Sequence, residues 1–190
     1  MSNFDFNSAD RQGSYELIPA KTIVKCAMKI NPGGVSDGGW LTVSKNSGAD
    51  MIAAEFIVTE GVYARARWWA YYVVDNGNET AMNISRQTLR AILESARNVN
   101  PEDMSPDAMQ KRNITNWGDF NGMEFMCKVG IEKDKTGQYE DKNKILAVIT
   151  PDMDGYTAMQ QPAQPIPAPQ VTAQTQATNQ TTDAVPAWAQ

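Results

Sequence analysis

The stretch ARARWWAYYVVD, Ala64 to Asp75, decides how the rest of the chain reads. It is crowded with aromatic and β-branched residues. Asp75-Asn76-Gly77-Asn78 follows as a turn signal, so the stretch reads as a strand entering a tight turn. Side chains alternate along a strand and sort this one into two faces. Ala66, Trp68, Ala70, Tyr72 and Val74 make an uncharged face suited to burial. Arg65, Arg67, Trp69, Tyr71 and Val73 make the other, and arginines are rarely buried unless paired. That face offers cation, cation, ring, ring at a spacing of roughly 6.6 Å, twice the strand rise.

Single-stranded nucleic acid suits such a row. Its phosphates meet arginine, and its unstacked bases meet aromatic faces at about 1–3 kcal/mol per base, with little dependence on sequence. The same residues have a second reading, in which a loop or partner subunit covers Trp69 and Tyr71 and the arginines are solvated.

Length and composition allow one ordinary domain and a tail. The 190 residues are 42% apolar, with five Trp to build a core, and the net charge is −5. Three acids, Asp152, Asp154 and Asp183, and no Lys or Arg lie beyond Thr150. Taking those acids from −5 leaves residues 1–150 at −2. That balance argues against coating DNA by charge alone but allows a local basic run to bind it. Cys26 and Cys127 sit in apolar alternations and read as buried thiols, not as a disulfide or metal site. The N-terminus MSNFDFNSAD has neither the basic nor the apolar region of a secretory signal, and no run reaches the roughly 18 apolar residues of a membrane span. A cytoplasmic protein is expected.

Residues 1–14 read as a polar arm with Phe4 and Phe6. In KTIVKCAMKI, Thr22, Val24, Cys26, Met28 and Ile30 alternate with Lys21, Ile23, Lys25, Ala27 and Lys29, a half-buried strand with lysines on its open face. WLTVSK, with Trp40 and Lys45, reads as a short strand in a glycine-rich loop. Met51 to Thr59 follows with Ile52, Ala54, Phe56 and Val58 inward. After the organising strand the period becomes helical: Leu89, Ile92, Leu93 and Ala96 fall on one face, with Asn83 or Ser85 as cap and Arg86, Arg90 and Arg97 on a solvated side. SPDAMQKR reads as one or two helical turns, with Trp117 and Phe120 pinning the loop after it. MEFMCKVGIEKD is a strand with Met123, Phe125, Cys127, Val129 and Ile131 inward and Lys128 outward. KILAVIT closes the body.

The order is strand, strand, strand, helix, strand, strand. It predicts a mainly β domain with one principal helix, an OB-fold-like, five-stranded, partly open barrel spanning residues 15–151. Such barrels bind oligonucleotides on their second and third strands, and the organising strand is third. From Pro151 the chain turns to Pro, Gln, Ala and Thr, so residues 152–190 are expected to be a disordered tail. Its tip, with Asp183, Val185, Pro186 and Trp188, reads as a short docking peptide for a partner protein.

YELIPA (15–20), GDFNGMEFMCKVGIEKD (118–134), KNKILAVITP (142–151) and the Pro/Gln-rich tail together resemble a family of small bacteriophage proteins. Those are encoded near replication and recombination genes and are regarded as OB-fold-like, single-stranded DNA-binding proteins. The resemblance implies single-stranded DNA as partner, and replication or recombination proteins reached through the tail. This tip carries one acid where bacterial single-stranded DNA-binding proteins end in an acidic, hydrophobic tip.

The expected contacts are therefore Lys21, Lys25, Lys29, Lys45, Arg65, Arg67 and Lys128 on phosphate, with Trp40, Trp69 and Tyr71 under bases. An oligomeric structural or interaction protein, with the aromatic face at a subunit interface, is the alternative. Enzymatic chemistry, cofactor and metal are not expected. Glu55, Asp75, Glu124 and Asp141 form no metal-binding spacing, the chain has no histidine, and no nucleotide-binding glycine motif occurs.

Overall fold

Alternating side chains need an apolar layer to face, and here the sheet supplies it by curling on itself. The computed structural model describes residues 16–157. Its strands are β1 (Ile23–Ile30), β2 (Thr42–Val43), β3 (Asp50–Val58), β4 (Arg67–Asp75), β5 (Met123–Glu132) and β6 (Lys142–Ile149). The helices are α1 (Glu79–Ala96) and α2 (Pro106–Lys111), with 3-10 turns at Asp37–Gly39 and Trp117–Phe120.

All pairings between these strands are antiparallel. β3 pairs with β4 on one side and with β1 and the short β2 on the other, β1 pairs with β5, and β5 with β6. The long strands thus run in the order β4-β3-β1-β5-β6, and both outer strands are parallel to β1. They do not pair with each other. The sheet is OB-fold-like and partly open, as the element order predicts, and α1 lies against β4, β5 and β6.

The buried faces match the alternation. Val24, Cys26, Met28 and Ile30 lie beside Ile52, Ala54, Phe56 and Val58 on the inner face, with Trp68, Tyr72, Phe125, Cys127 and Val129 completing the core. Phe56 sits at the centre. Its ring stacks tilted on Trp68 at 5.7 Å and edge-on to Tyr72 at 6.2 Å and Phe125 at 5.7 Å. Fully burying such a side chain is worth about 1.5–3 kcal/mol. The two cysteines are free thiols with Sγ atoms 3.6 Å apart. Burial first, then the neighbouring Cys127, pushes the Cys26 thiol well above its ordinary pKa.

The local signals moved in three places. α1 begins four residues before Asn83, because Asn78 caps it by accepting from the Ala81 N–H at 3.2 Å. Of the arginines on its outer side, Arg86 is exposed as expected, but Arg90 and Arg97 are not merely solvated. Arg90 binds Glu94 at 2.8 Å, and Arg97 donates to the carbonyls of Lys111 and Asn113, both at 2.7 Å. The Arg97 bonds, with one from Arg90 to the Pro101 carbonyl at 3.2 Å, hold the connection after the helix. Residues 151–157 fold back on the barrel, where the Tyr156 hydroxyl donates to the Ser95 carbonyl at 2.8 Å. No helix among the described residues is long and apolar enough to cross a membrane.

Candidate nucleic-acid interface

β4 divides as its alternation requires. Trp68 and Tyr72 are buried, whereas Trp69 is 58% and Tyr71 66% exposed. Both rings stand on a strand held along its length by β3, so their outward position is fixed by the ladder rather than by a loop. The open seam between β4 and β6 beside them is a groove of about 870 Å³. Arg67, Trp69 and Tyr71 of β4 and Lys142 and Lys144 of β6 line it, together with Leu17 of the lead-in segment. Glu16, Glu132, Glu140 and Asp141 also line it, so its charge is mixed.

Register decides which cations join the rings. Lys29, Glu55 and Trp69 share one rung across β1, β3 and β4. Glu55 accepts from Arg67 Nη1 at 2.9 Å and lies 3.5 Å from Lys29 Nζ. Lys29, Arg67, Trp69 and Tyr71 therefore form one cluster around a carboxylate that is only 5% exposed. Lys25 faces the same way but is paired with Glu124 at 3.0 Å and Glu60 at 4.0 Å.

The other expected contacts lie apart from this cluster. Arg65 is not on the strand. It turns with φ 74° ahead of β4, which begins at Arg67. Lys21 likewise has φ 73° in the turn before β1. Lys45 is in the turn after β2. Lys128 is level with Ile23, three strands across from β4 and six residues along from Lys29. Those steps amount to about 14 Å across and about 20 Å along the sheet. Trp40 is partly buried and packs on the core, and a Cβ on Gly118 would stand 2.3 Å from its ring. It serves packing rather than an open platform. Asp183, Val185, Pro186 and Trp188 lie outside the described residues, as does the arm with Phe4 and Phe6.

Sequence reading missed three parts of the site. Glu55 stood out only as a possible metal ligand, although the β3 alternation Met51, Ala53, Glu55, Ile57 places it on the open face. Lys142 and Lys144 alternate with buried Asn143 on β6 and face the groove, a signal present in KNK. Asn143 anchors the lead-in segment. Its amide accepts from the Ile18 N–H at 3.0 Å and donates to the Ile18 carbonyl at 2.9 Å, which brings Glu16 and Leu17 to the groove. No group of acidic or cysteine side chains that could hold a metal ion occurs among the described residues. No protein-family model matches the chain, and comparison with curated proteins finds no match.

Proposed function

We propose that this protein is a sequence-independent single-stranded DNA-binding module of a phage replication or recombination system, acting by capture rather than by catalysis. The observation that carries this reading is the pair Trp69 and Tyr71, more than half exposed on a rigid strand with Arg67 and Lys29 at their side. Leaving two large rings in water is costly unless a ligand covers them. Unpaired bases offer two flat faces at a spacing that a strand can follow, and their phosphates reach the flanking cations. A duplex hides its base faces, so the site should prefer single strands. Intrinsic fluorescence titrated with oligo-dT and with duplex of equal length tests this. Quenching by oligo-dT, weakening with salt, is the expected result. Equal affinity for both, or no quenching, rejects the reading.

A second reading has its own observation. Four acids line the groove and β4 and β6 offer unpaired edges among the described residues, which suits a protein partner or a second copy. Light scattering with and without oligonucleotide separates the two. An oligomer that shields Trp69 and ignores DNA favours the interface.

A further inference from the structure

We infer that Glu55 sets the preference of this site for unpaired strands, by withholding positive charge from the face that carries the rings. The inference rests on the single-strand reading and goes beyond it by naming the residue that controls selectivity.

Glu55 is 5% exposed and stands in the middle of the outer sheet face, on the same rung as Trp69. It binds both cations of the cluster, Arg67 at 2.9 Å and Lys29 at 3.5 Å. The side chains of those cations are about half exposed, 49% and 56%, so their remaining donors face solvent and a ligand can reach them. The three groups carry a net charge of +1 where two cations alone would carry +2. A buried carboxylate at an ordinary hydrogen-bonding distance cannot move away when a phosphate arrives, so it opposes the incoming anion.

The consequence differs between ligands. Binding by charge needs no exposed base faces, and each phosphate contact counts for more on a duplex than on a single strand, with salt slopes of about 0.9 against about 0.7. Binding by stacking requires exposed base faces and excludes a duplex. Removing charge from the site therefore weakens duplex binding proportionately more and leaves the rings to decide. Glu55 makes the platform selective at the expense of affinity.

The test compares the full-length protein with Glu55→Gln, which keeps the shape and an acceptor but removes the charge. Binding of fluorescein-labelled oligo-dT and of duplex is measured from 0.05 to 0.3 M salt, with thermal melts as a control of folding. One released, half-exposed cation beside an incoming phosphate should tighten duplex binding by about fivefold, from the Coulomb attraction of two unit charges about 4 Å apart in water. Oligo-dT should gain less, so the ratio of the two affinities falls. The slope of log K against log salt should steepen by about 0.7 for single strands, the value for one further phosphate contact. In Glu55→Gln/Arg67→Gln the duplex gain should be lost. If Glu55→Gln melts without cooperativity, Glu55→Met is used, since an apolar replacement leaves the same two cations uncompensated. Wild-type protein that binds oligo-dT, with a folded variant whose selectivity and salt slope are unchanged, overturns the inference and leaves the single-strand reading standing. No binding by either protein overturns both. Binding that emerges only on substitution overturns the single-strand reading and the inference with it.

Discussion

Trp68 and Trp69 are adjacent in the chain and opposite in the fold: the first is 2% exposed beneath Phe56, the second 58% exposed beside Glu55. Their substitution should separate stability from binding. Trp68→Ala removes a core ring and should cost roughly 3–5 kcal/mol. Trp69→Ala should cost less than about 1 kcal/mol, as expected for a surface position, while weakening oligo-dT binding by the loss of one stacked base, about 1–3 kcal/mol. Urea melts and titrations of both variants check this. A Trp69→Ala variant as unstable as Trp68→Ala would show that the ring is a packing residue.

Asn143 should matter more than its place on an outer strand suggests. Buried, it bonds the Ile18 N–H and carbonyl and also the Gly130 carbonyl at 3.3 Å. Asn143→Ala leaves those groups without a partner, at about 1–3 kcal/mol for a buried orphan. The loss should be readable as a lower denaturation midpoint and faster amide exchange at Ile18. Unchanged exchange there would mean that the lead-in segment is held by other contacts.

Glu94 is the electrostatic pin of the segment after α1. Only 3% exposed, it accepts from Arg90 at 2.8 Å and Arg112 at 2.7 Å. Glu94→Ala removes the carboxylate paired with Arg112, whose side chain is 12% exposed and keeps its bonds to the Asn100, Pro101 and Asp103 carbonyls. Breaking a buried pair costs up to roughly 3–5 kcal/mol; because Arg90 is half exposed, a loss near 2–3 kcal/mol is expected. Calorimetric unfolding measures it. Glu94→Gln, which keeps an acceptor, should lose less than Glu94→Ala, and equal losses would argue that the charge rather than the hydrogen bonding matters.

The turn between β5 and β6 should be acid-sensitive in a defined window. Asp134 accepts from the Tyr139 N–H at 2.9 Å, the Thr136 hydroxyl at 2.7 Å and the Gln138 N–H at 2.8 Å, which lower its pKa from 3.8 to about 2. A depressed carboxylate contributes order that is present above its ordinary pKa and is lost as pH falls towards the folded value. The turn should therefore hold at pH 4 and loosen between about 4 and 2. A carboxyl-carbon NMR titration of Asp134 with a midpoint near 4 would remove this account.

Much of the barrel is legible in the chain because its signals are local. The alternation of Val24, Cys26, Met28 and Ile30, and of Ile52, Ala54, Phe56 and Val58, assigns faces without any knowledge of neighbours. The helical spacing of Leu89, Ile92 and Leu93 does the same for α1. Boundaries were less legible. Asn78 rather than Asn83 caps the helix, since capping depends on where the preceding turn leaves the chain. Arg65 looked like the next residue of a row, but its left-handed backbone before β4 breaks the alternation, although its N–H still donates to the Val58 carbonyl at 2.8 Å.

The chain by itself therefore determined that Trp69 and Tyr71 turn away from the core, because a strand of period two with one apolar face leaves the other nowhere else to go. Only the tertiary structure decided which charges stand with them. Glu55, Lys29 and Arg67 come from three strands whose register is fixed by backbone hydrogen bonds across the sheet and by the turns between them. A slip of one residue in any of those pairings would move an entire side-chain set to the opposite face, and no period within a single strand records that choice.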